Sequence, residues 1–382
     1  MQKTAPDFGS RLLKRRNTAC LRLFRFTVPS HFIHIIPEIC IDIFAETYYN
    51  NRRRNSERKA GADMAHKLEE QIHGRLDTLL ADYCGGRIID AEVTLDHPNK
   101  DIVIDIVYKL RQIIFPGYFR NQAYRVYTLR NHVSMLLEDV IFNLIRQISI
   151  VLVYAPEYRD ASPEVIRARA EEITLAFIDK IPEIRSYIEM DVDAAYDGDP
   201  AAYNKDEIIY SYPGLFAILV SRIAHQLHLL GVPLLPRIMT EYAHSQTGID
   251  IHPGASLGRY FFIDHGTGIV IGETTDIGDN VKVYQGVTLG ALSTRGGQSL
   301  KSKKRHPTIC DNVTIYSGAS ILGGETVIGR GAVIGANAFI TRSIPEGAKV
   351  SIKNQELHYR YDPQAKPEAE TVDPDDTWFY II

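Results

Sequence analysis

Four short segments of this chain gather side chains that can move a proton and hold charge. They are Thr247-Gly248-Ile249-Asp250-Ile251-His252-Pro253-Gly254, Asp264-His265-Gly266-Thr267-Gly268, Val287-Thr288-Leu289-Gly290-Ala291 and Lys304-Arg305-His306-Pro307. Histidine titrates near neutral pH, which suits it to general-base work. A carboxylate on the far ring nitrogen fixes the tautomer and stabilises the imidazolium that forms. Arginine presents a fork of donors that matches a carboxylate. None of these parts acts unless the fold aims them.

The elements that must do the aiming change character midway along the chain. From Met64 to about Tyr242 the apolar residues recur at helical spacing, in segments near Leu68–Leu80, His132–Leu152 and Leu215–Leu230. Ser162-Pro163-Glu164 is a helix start: a hydroxyl N-cap, Pro at the first helical position and an acid at the positive dipole end. Ile166, Ala170, Ile173 and Phe177 behind it form one apolar face, expected to be core. Pro213-Gly214 and Pro233 mark the ends of the last helix.

Beyond that the period becomes six. Aliphatic residues fall at Ile271, Ile277, Val283 and Leu289, and again at Ile309, Ile315, Ile321, Val327, Val333 and Phe339. Ile251, Leu257 and Ile263 form a shorter run of the same step. Six fits neither the helical period nor strand alternation. It fits a triangular prism of short parallel strands with one inward aliphatic per face, three units making an 18-residue coil. The fold class expected is α+β, an all-α N-terminal domain followed by a parallel β-helix. Asp250 and His265 are fifteen residues apart, a little under one coil, which allows them to share an edge on neighbouring coils.

The hexapeptide pattern resembles the left-handed β-helix acyltransferases, and the resemblance implies the handedness and a trimeric state. The order and spacing of the four polar segments resemble the serine O-acetyltransferase family, from about Asp199 to Ser351 and most densely over Gly248 to Pro307. That family converts L-serine and acetyl-CoA to O-acetylserine for cysteine biosynthesis, with no metal. By resemblance His265 is the general base and Asp250 its orienting partner. Arg305 and His306 look like the pair that binds the serine carboxylate, while Asp264 and Asp199 match the acids that hold its ammonium group. Gly290-Ala291 sits where the family has a Gly-Gly facing the thioester, and the alanine is acceptable if that residue needs no positive φ. Ser317 and Gly335 fall at inferred coenzyme-edge positions. Sites of the family lie between subunits, so a homotrimer or a dimer of trimers is expected.

The segment Ser293–Lys304 is longer than the family's usual turn and carries Arg295, Lys301, Lys303 and Lys304. It reads either as a lid over the phosphates of CoA or as a solvated loop. After Tyr361 the chain turns acidic and ends Trp378-Phe379-Tyr380-Ile381-Ile382. The resemblance implies that Ile382 docks into O-acetylserine sulfhydrylase. Folding back of Trp378-Phe379 is the competing reading.

Bulk properties bound the rest. The chain has 382 residues, 45% hydrophobic and 24% charged, and a net charge of −4 that gives no reason to expect nucleic acid. Residues 1–63 carry twelve Lys/Arg and six Asp/Glu, so the remainder carries −10. That stretch reads as a poorly ordered basic extension; a transit peptide is the alternative, and a secretory signal is not supported. The domains expected are 1–63, a helical domain 64–247, the β-helix 248–360 and a tail 361–382. No apolar run reaches the roughly 18 residues a membrane span needs, since Arg146 interrupts Val140 to Tyr154. Cys20, Cys40, Cys84 and Cys310 are scattered, which favours a reducing cytoplasm over a disulfide framework. Alternatives are a hexapeptide acetyltransferase for a sugar or antibiotic hydroxyl, a γ-type carbonic anhydrase using His252, His265 and His306 on zinc, and a non-enzymatic scaffold that binds the sulfhydrylase; residue types alone do not separate serine from homoserine as acceptor.

Overall fold

The structure, a computed structural model, describes residues 55–83, 87, 89, 97–119, 128–301 and 303–352. Contacts group the chain into two units, Met1–Leu95 and Asp96–Ile382. In the first unit, helix α1 (Asn55–Tyr83) begins upstream of Met64. Its residues Leu68, Ile72, Leu76 and Leu79, expected as a core face, are each about half exposed. No other described element of that unit covers them. The acidic tail with Ile382, most of the basic extension, and Cys20, Cys40 and Cys84 lie outside the described residues.

In the second unit seven helices precede the strands: α2 (Lys100–Ile114), α3 (Leu129–Leu152), α4 (Pro163–Ile178), α5 (Ile181–Gly198), α6 (Lys205–Ser211), α7 (Pro213–Leu229) and α8 (Leu235–Thr247). The Ser162 start holds: its hydroxyl accepts from Val165 N with Pro163 behind it, and Ala170, Ile173 and Phe177 are buried. No single helix among the described residues is long and apolar enough to cross a membrane. Helix α8 stops at Gly248 in the left-handed region (φ 70°), and the first strand follows directly.

Fourteen short parallel strands then wind into three sheets. Face one holds β1 (Asp250–Ile251), β4 (Val270–Ile271), β7 (Thr288–Gly290), β10 (Ser320–Leu322) and β13 (Phe339–Ile340). Face two holds β2 (Ser256–Leu257), β5 (Asp276–Ile277), β8 (Thr308–Ile309) and β11 (Val327–Ile328). Face three holds β3 (Phe262–Asp264), β6 (Lys282–Tyr284), β9 (Thr314–Ile315), β12 (Val333–Ile334) and β14 (Lys349–Val350). Up to β13 each strand pairs with the third one along, which is the expected prism; β14 pairs with β12 because the intervening face-two position is a single bridge, Ile328 to Ile344. The Ile/Val/Thr-rich steps favour the pleated backbone, and on faces one and three the inward aliphatic is accompanied by a second buried residue two places before it. Val281 with Val283, Val287 with Leu289, Val313 with Ile315 and Ala319 with Ile321 are all fully buried.

The six-residue step fails after Ile321, and this corrects the expected register. Val327 and Phe339 are 38% and 70% exposed, whereas Ile328 and Ile334 are fully buried and Ile340 is 8% exposed. The inward position therefore advances seven residues, from Ile321 to Ile328, and Val333 moves outward with its neighbours. The extra residue sits in the Gly323-Gly324 corner, where Gly323 adopts φ 107°, a backbone that side chains beyond glycine rarely take. Thr326 Oγ1 donates to Leu322 O across that corner at 2.7 Å and closes it.

The helices are bound to the first coil by a buried ion pair. Arg222 of α7 donates through Nε and Nη2 to Asp191 of α5 at 2.7 and 2.8 Å. It also donates to the carbonyls of Leu257 and Gly258 at 3.0 and 2.7 Å, and Asp191 Oδ1 accepts from Phe261 N at 3.0 Å. A bidentate pair with its remaining donors and acceptors satisfied tolerates burial; a single partner left alone does not.

Two outcomes follow from these arrangements. Ile328→Ala should lose about 2–5 kcal/mol of stability, and Val327→Ala less than about 1 kcal/mol, by denaturant unfolding; the reverse order would restore the six-residue register. Asp191→Ala should cost about 3–5 kcal/mol, while Asp191→Leu combined with Arg222→Met regains most of it. A double variant as unstable as the single would show that the charge pair is not the link.

Candidate active site

Two edges of the prism carry the titratable side chains. The first is where face three turns into face one, between β3 and β4. There Ile263 and Ile271 are eight residues apart instead of six, and the extra length is the Asp264-His265-Gly266 turn. His265 has φ 57° and Gly266 φ 88°. Gly266 N returns to Asp264 O at 2.7 Å. A Cβ on Gly266 would lie 2.5 Å from Ile249 Cδ1, so only glycine fits. A histidine in the left-handed region is uncommon, though histidine tolerates it better than most side chains. The turn leaves the imidazole 60% exposed, with Nε2 3.8 Å from Asp264 Oδ1.

Asp199 comes to the same edge from the end of α5. It is the C-cap residue, and the last turn of α5 holds no basic side chain. A carboxylate there opposes the helix dipole. Lys282 of β6 supplies the missing positive charge, donating to Gly198 O at 2.6 Å. The Asp199 carboxylate accepts from Ala201 N at 2.8 Å and from the Tyr212 hydroxyl at 2.5 Å. The Tyr212 bond, followed by the backbone donor, Lys282 and His265, holds its pKa below the usual carboxylate range. Burial and the Asp199 carboxylate push the Tyr212 phenol well up, with smaller contributions from Glu207 and Asp264. Asp199, Tyr212, Asp264 and His265 thus share one electrostatic neighbourhood.

The second edge is where face one turns into face two, and it holds His252, Glu273, Thr274, Arg305 and His306. Arg305 pairs with Glu273 and donates to Leu300 O at 3.3 Å. The Thr274 hydroxyl accepts from Arg305 N and His306 N at 2.9 and 3.1 Å. His306 is 7% exposed. Its Nδ1 accepts from Thr274 N at 3.1 Å, which puts the remaining proton of the neutral ring on Nε2. Burial, with Arg305 alongside, lowers the His306 pKa to about 4. His252 is likewise lowered to about 4 by burial, with Arg237 next; its Nδ1 accepts from Gly254 N at 3.0 Å. His306 is therefore an uncharged donor at neutral pH, and Arg305 alone carries the positive charge of the pair.

The remaining expected site residues divide between the same edges. Gly290 ends β7 at the second edge and Ala291 follows it; Ala291 is not among the residues with positive φ, so its side chain is accommodated. Ser317 and Gly335 lie on the first edge, coils above His265, and Ser317 O accepts from Asn337 N. In the long turn, Lys304 is already engaged with Asp276 Oδ2 and Thr274 O, both at 2.6 Å. Asp250 stands on β1 with Oδ1 3.7 Å from Arg237 Nη1. No hydrogen bond joins it to His265 in this chain. Asp250, Glu241 and His244 are the only described group whose potential ligand atoms lie within 4.8 Å of one another. The three histidines of the zinc alternative are split between the two edges.

Tyr212, Lys282, Glu273 and Thr274 were not singled out from the sequence. Tyr212 precedes a Pro-Gly that reads only as a helix boundary, and the other three sit in the polar half of ordinary hexapeptides.

Protonation of these two imidazoles, His306 buried and His252 half-buried, sets a pH dependence. Their ordinary pKa is 6.5 and their folded value about 4, so between these the unfolded chain binds more protons. Stability is complete above about 6.5 and falls as pH drops towards about 4. His306→Asn should lose less stability over that window than the parent chain, in denaturant midpoints taken from pH 7 to 4. Equal losses would mean that His306 is not held neutral.

No protein-family model matches the chain. It is 46% identical over 260 residues to the plasmid-encoded serine acetyltransferase of Synechococcus elongatus, covering 66% of this chain and 81% of that protein. It is 49% identical over 131 residues to the serine acetyltransferase of Bacillus subtilis, 34% of this chain and 58% of the relative. Among solved structures it resembles serine acetyltransferase 1 of Entamoeba histolytica in complex with L-cysteine, with TM-score 0.57 and 37% identity, covering 67% of this chain and 88% of that one. Isoform 3 of the same organism, in complex with cysteine, gives TM-score 0.58 and 35% identity, covering 75% and 93%.

Proposed function

Because the chain belongs to the serine acetyltransferase family, we propose that it moves the acetyl group of acetyl-CoA to the hydroxyl of L-serine at the His265 edge, supplying O-acetylserine for cysteine synthesis. The observation that carries the reading is the meeting of His265 with Asp199 and Asp264 at one edge. His265 takes the proton from the serine oxygen as that oxygen attacks the thioester carbonyl, then returns it to the departing sulfur. Asp199 and Asp264 hold the ammonium group, and Arg305 with the Nε2–H of His306 holds the carboxylate. Asp250, on the strand beneath β4, is kept as the carboxylate that orients the imidazole.

Both charges of serine sit on one carbon, yet the acids and Arg305 lie on different edges, separated by a face whose six residues span up to roughly 20 Å. The site is therefore completed by the Arg305 edge of a second copy. This favours a closed homotrimer, or a dimer of trimers, with left-handed coils as the hexapeptide resemblance implies. Gly290 and Ala291 from one copy and Ser317 and Gly335 from the next then flank the same cleft, where the coenzyme arm lies. Docking of O-acetylserine sulfhydrylase on Ile382 and a cytoplasmic location complete the proposal, the latter on cysteine usage alone.

The test is thiol release from acetyl-CoA with serine, homoserine and simple sugars as acceptors. Serine should be preferred, and His265→Ala should lower turnover by roughly 10²–10⁴. Co-expression of His265→Ala with Arg305→Ala chains should recover part of the activity, since mixed trimers contain one intact interface. Full activity in His265→Ala, or no recovery in the mixture, would sink the base assignment or the shared site respectively.

A further inference from the structure

Tyr212 occupies a place where its type is hard to explain by local structure. It is at once the C-cap of α6 and the N-cap of α7, with extended backbone (φ −78°, ψ 116°) and no side-chain cap bond. Ser, Thr, Asp or Asn at an N-cap would satisfy a free amide of α7; tyrosine forgoes that. Its hydroxyl goes instead to Asp199 Oδ2, thirteen residues back in the chain.

Asp199 needs such a partner. It ends a helix before Pro200, and its side chain is otherwise restrained only by Ala201 N. Two donors, one on each oxygen, fix the plane of the carboxylate and leave one acceptor direction on each oxygen open. The placement of Tyr212 is fixed from below: a Cβ on Gly214 would lie 2.7 Å from Ile263 O, so α7 starts directly against the strand that ends in Asp264 and His265. Burial first, then the Asp199 carboxylate and the charges of Glu207 and Asp264, keep the phenol protonated. It can donate to Asp199, and it cannot compete with His265 for the substrate proton.

We propose that Tyr212 is the positioning residue of the ammonium site, its hydroxyl holding Asp199 as a fixed, ionised acceptor for the amino group of the substrate. The proposal rests on the reading of Asp199 as an ammonium ligand. It makes amine recognition depend on a tyrosine from the helical half of the chain, and it predicts selection against hydroxy acids that lack the amine.

Steady-state kinetics of the full-length enzyme with Tyr212→Phe and Asp199→Asn separate the two claims. Tyr212→Phe removes one oxygen and should raise KM for serine about twofold to tenfold, the cost of ordering on binding a carboxylate that the free enzyme no longer holds. KM for acetyl-CoA should stay put. The acidic limb of serine binding, read in the His265→Ala background where the general base no longer titrates, should move to higher pH, because Asp199 loses the donor that keeps it ionised. If Asp199→Asn leaves KM for serine unaltered, the ammonium reading itself fails. If Asp199→Asn raises it and Tyr212→Phe does not, the role given to Tyr212 is overturned. A fall in kcat alone, with KM and the acidic limb unmoved, would also overturn it and mark Tyr212 as part of the helix junction only. Thermal unfolding of both variants identifies any loss due to misfolding, and the acidic limb remains readable on whatever fraction is folded.

Discussion

The charge pair between Asp191 and Arg222 is the constraint on which the site rests. Asp191 lies two helical turns before Asp199 on α5, and Arg222 lies on the helix that Tyr212 opens. The same guanidinium grips the Leu257 and Gly258 carbonyls of the first coil. One buried cation therefore fixes three pieces of chain that supply Asp199, Tyr212 and, through Phe261 to Ile263, the Asp264-His265 turn. An apolar contact would bury as much surface, but it would not fix direction. The donors of an arginine fork do.

The chemistry is concentrated where the repeat is broken. A perfect hexapeptide solenoid has corners filled by small residues and nothing protruding. Two extra residues between Ile263 and Ile271 push His265 out of the first edge. The long excursion between Leu289 and Ile309 brings Arg305 and His306 to the second. Hydrogen bonds to the coil below, from the amides of Arg305 and His306 to the Thr274 hydroxyl, hold the returning chain in place.

How much of this was legible in the sequence depends on what each residue answers to. The aliphatic column answers to burial, so the six-residue period exposed the prism and its helical prefix. It could not place the register beyond Ile321, because Val327-Ile328, Val333-Ile334 and Phe339-Ile340 are apolar doublets that satisfy either phase. Only the Gly323 corner decides between them. Of the site, Asp199, Asp264 and His265 were identified by family resemblance, and the structure brings them together. Glu273, Thr274 and Tyr212 were missed because their partners are far away in sequence and no period ties them. Asp250 shows a different limit: its fifteen-residue spacing puts it one coil away from β4, while Arg237, on the helix just before it and 3.7 Å from its carboxylate, had no period to announce it.

The excursion between Leu289 and Ile309 has an entropic side. A solenoid counts only the residues that re-enter a face, so β8 pairs with β5 in register however long the detour. Closing such a loop costs about 0.6 kcal/mol per doubling of length. What must be met is the landing, and Lys304, Arg305 and His306 are the landing residues, each tied to the coil beneath. Loop length in this architecture is thus nearly free to drift over generations, while the few residues at its foot are not.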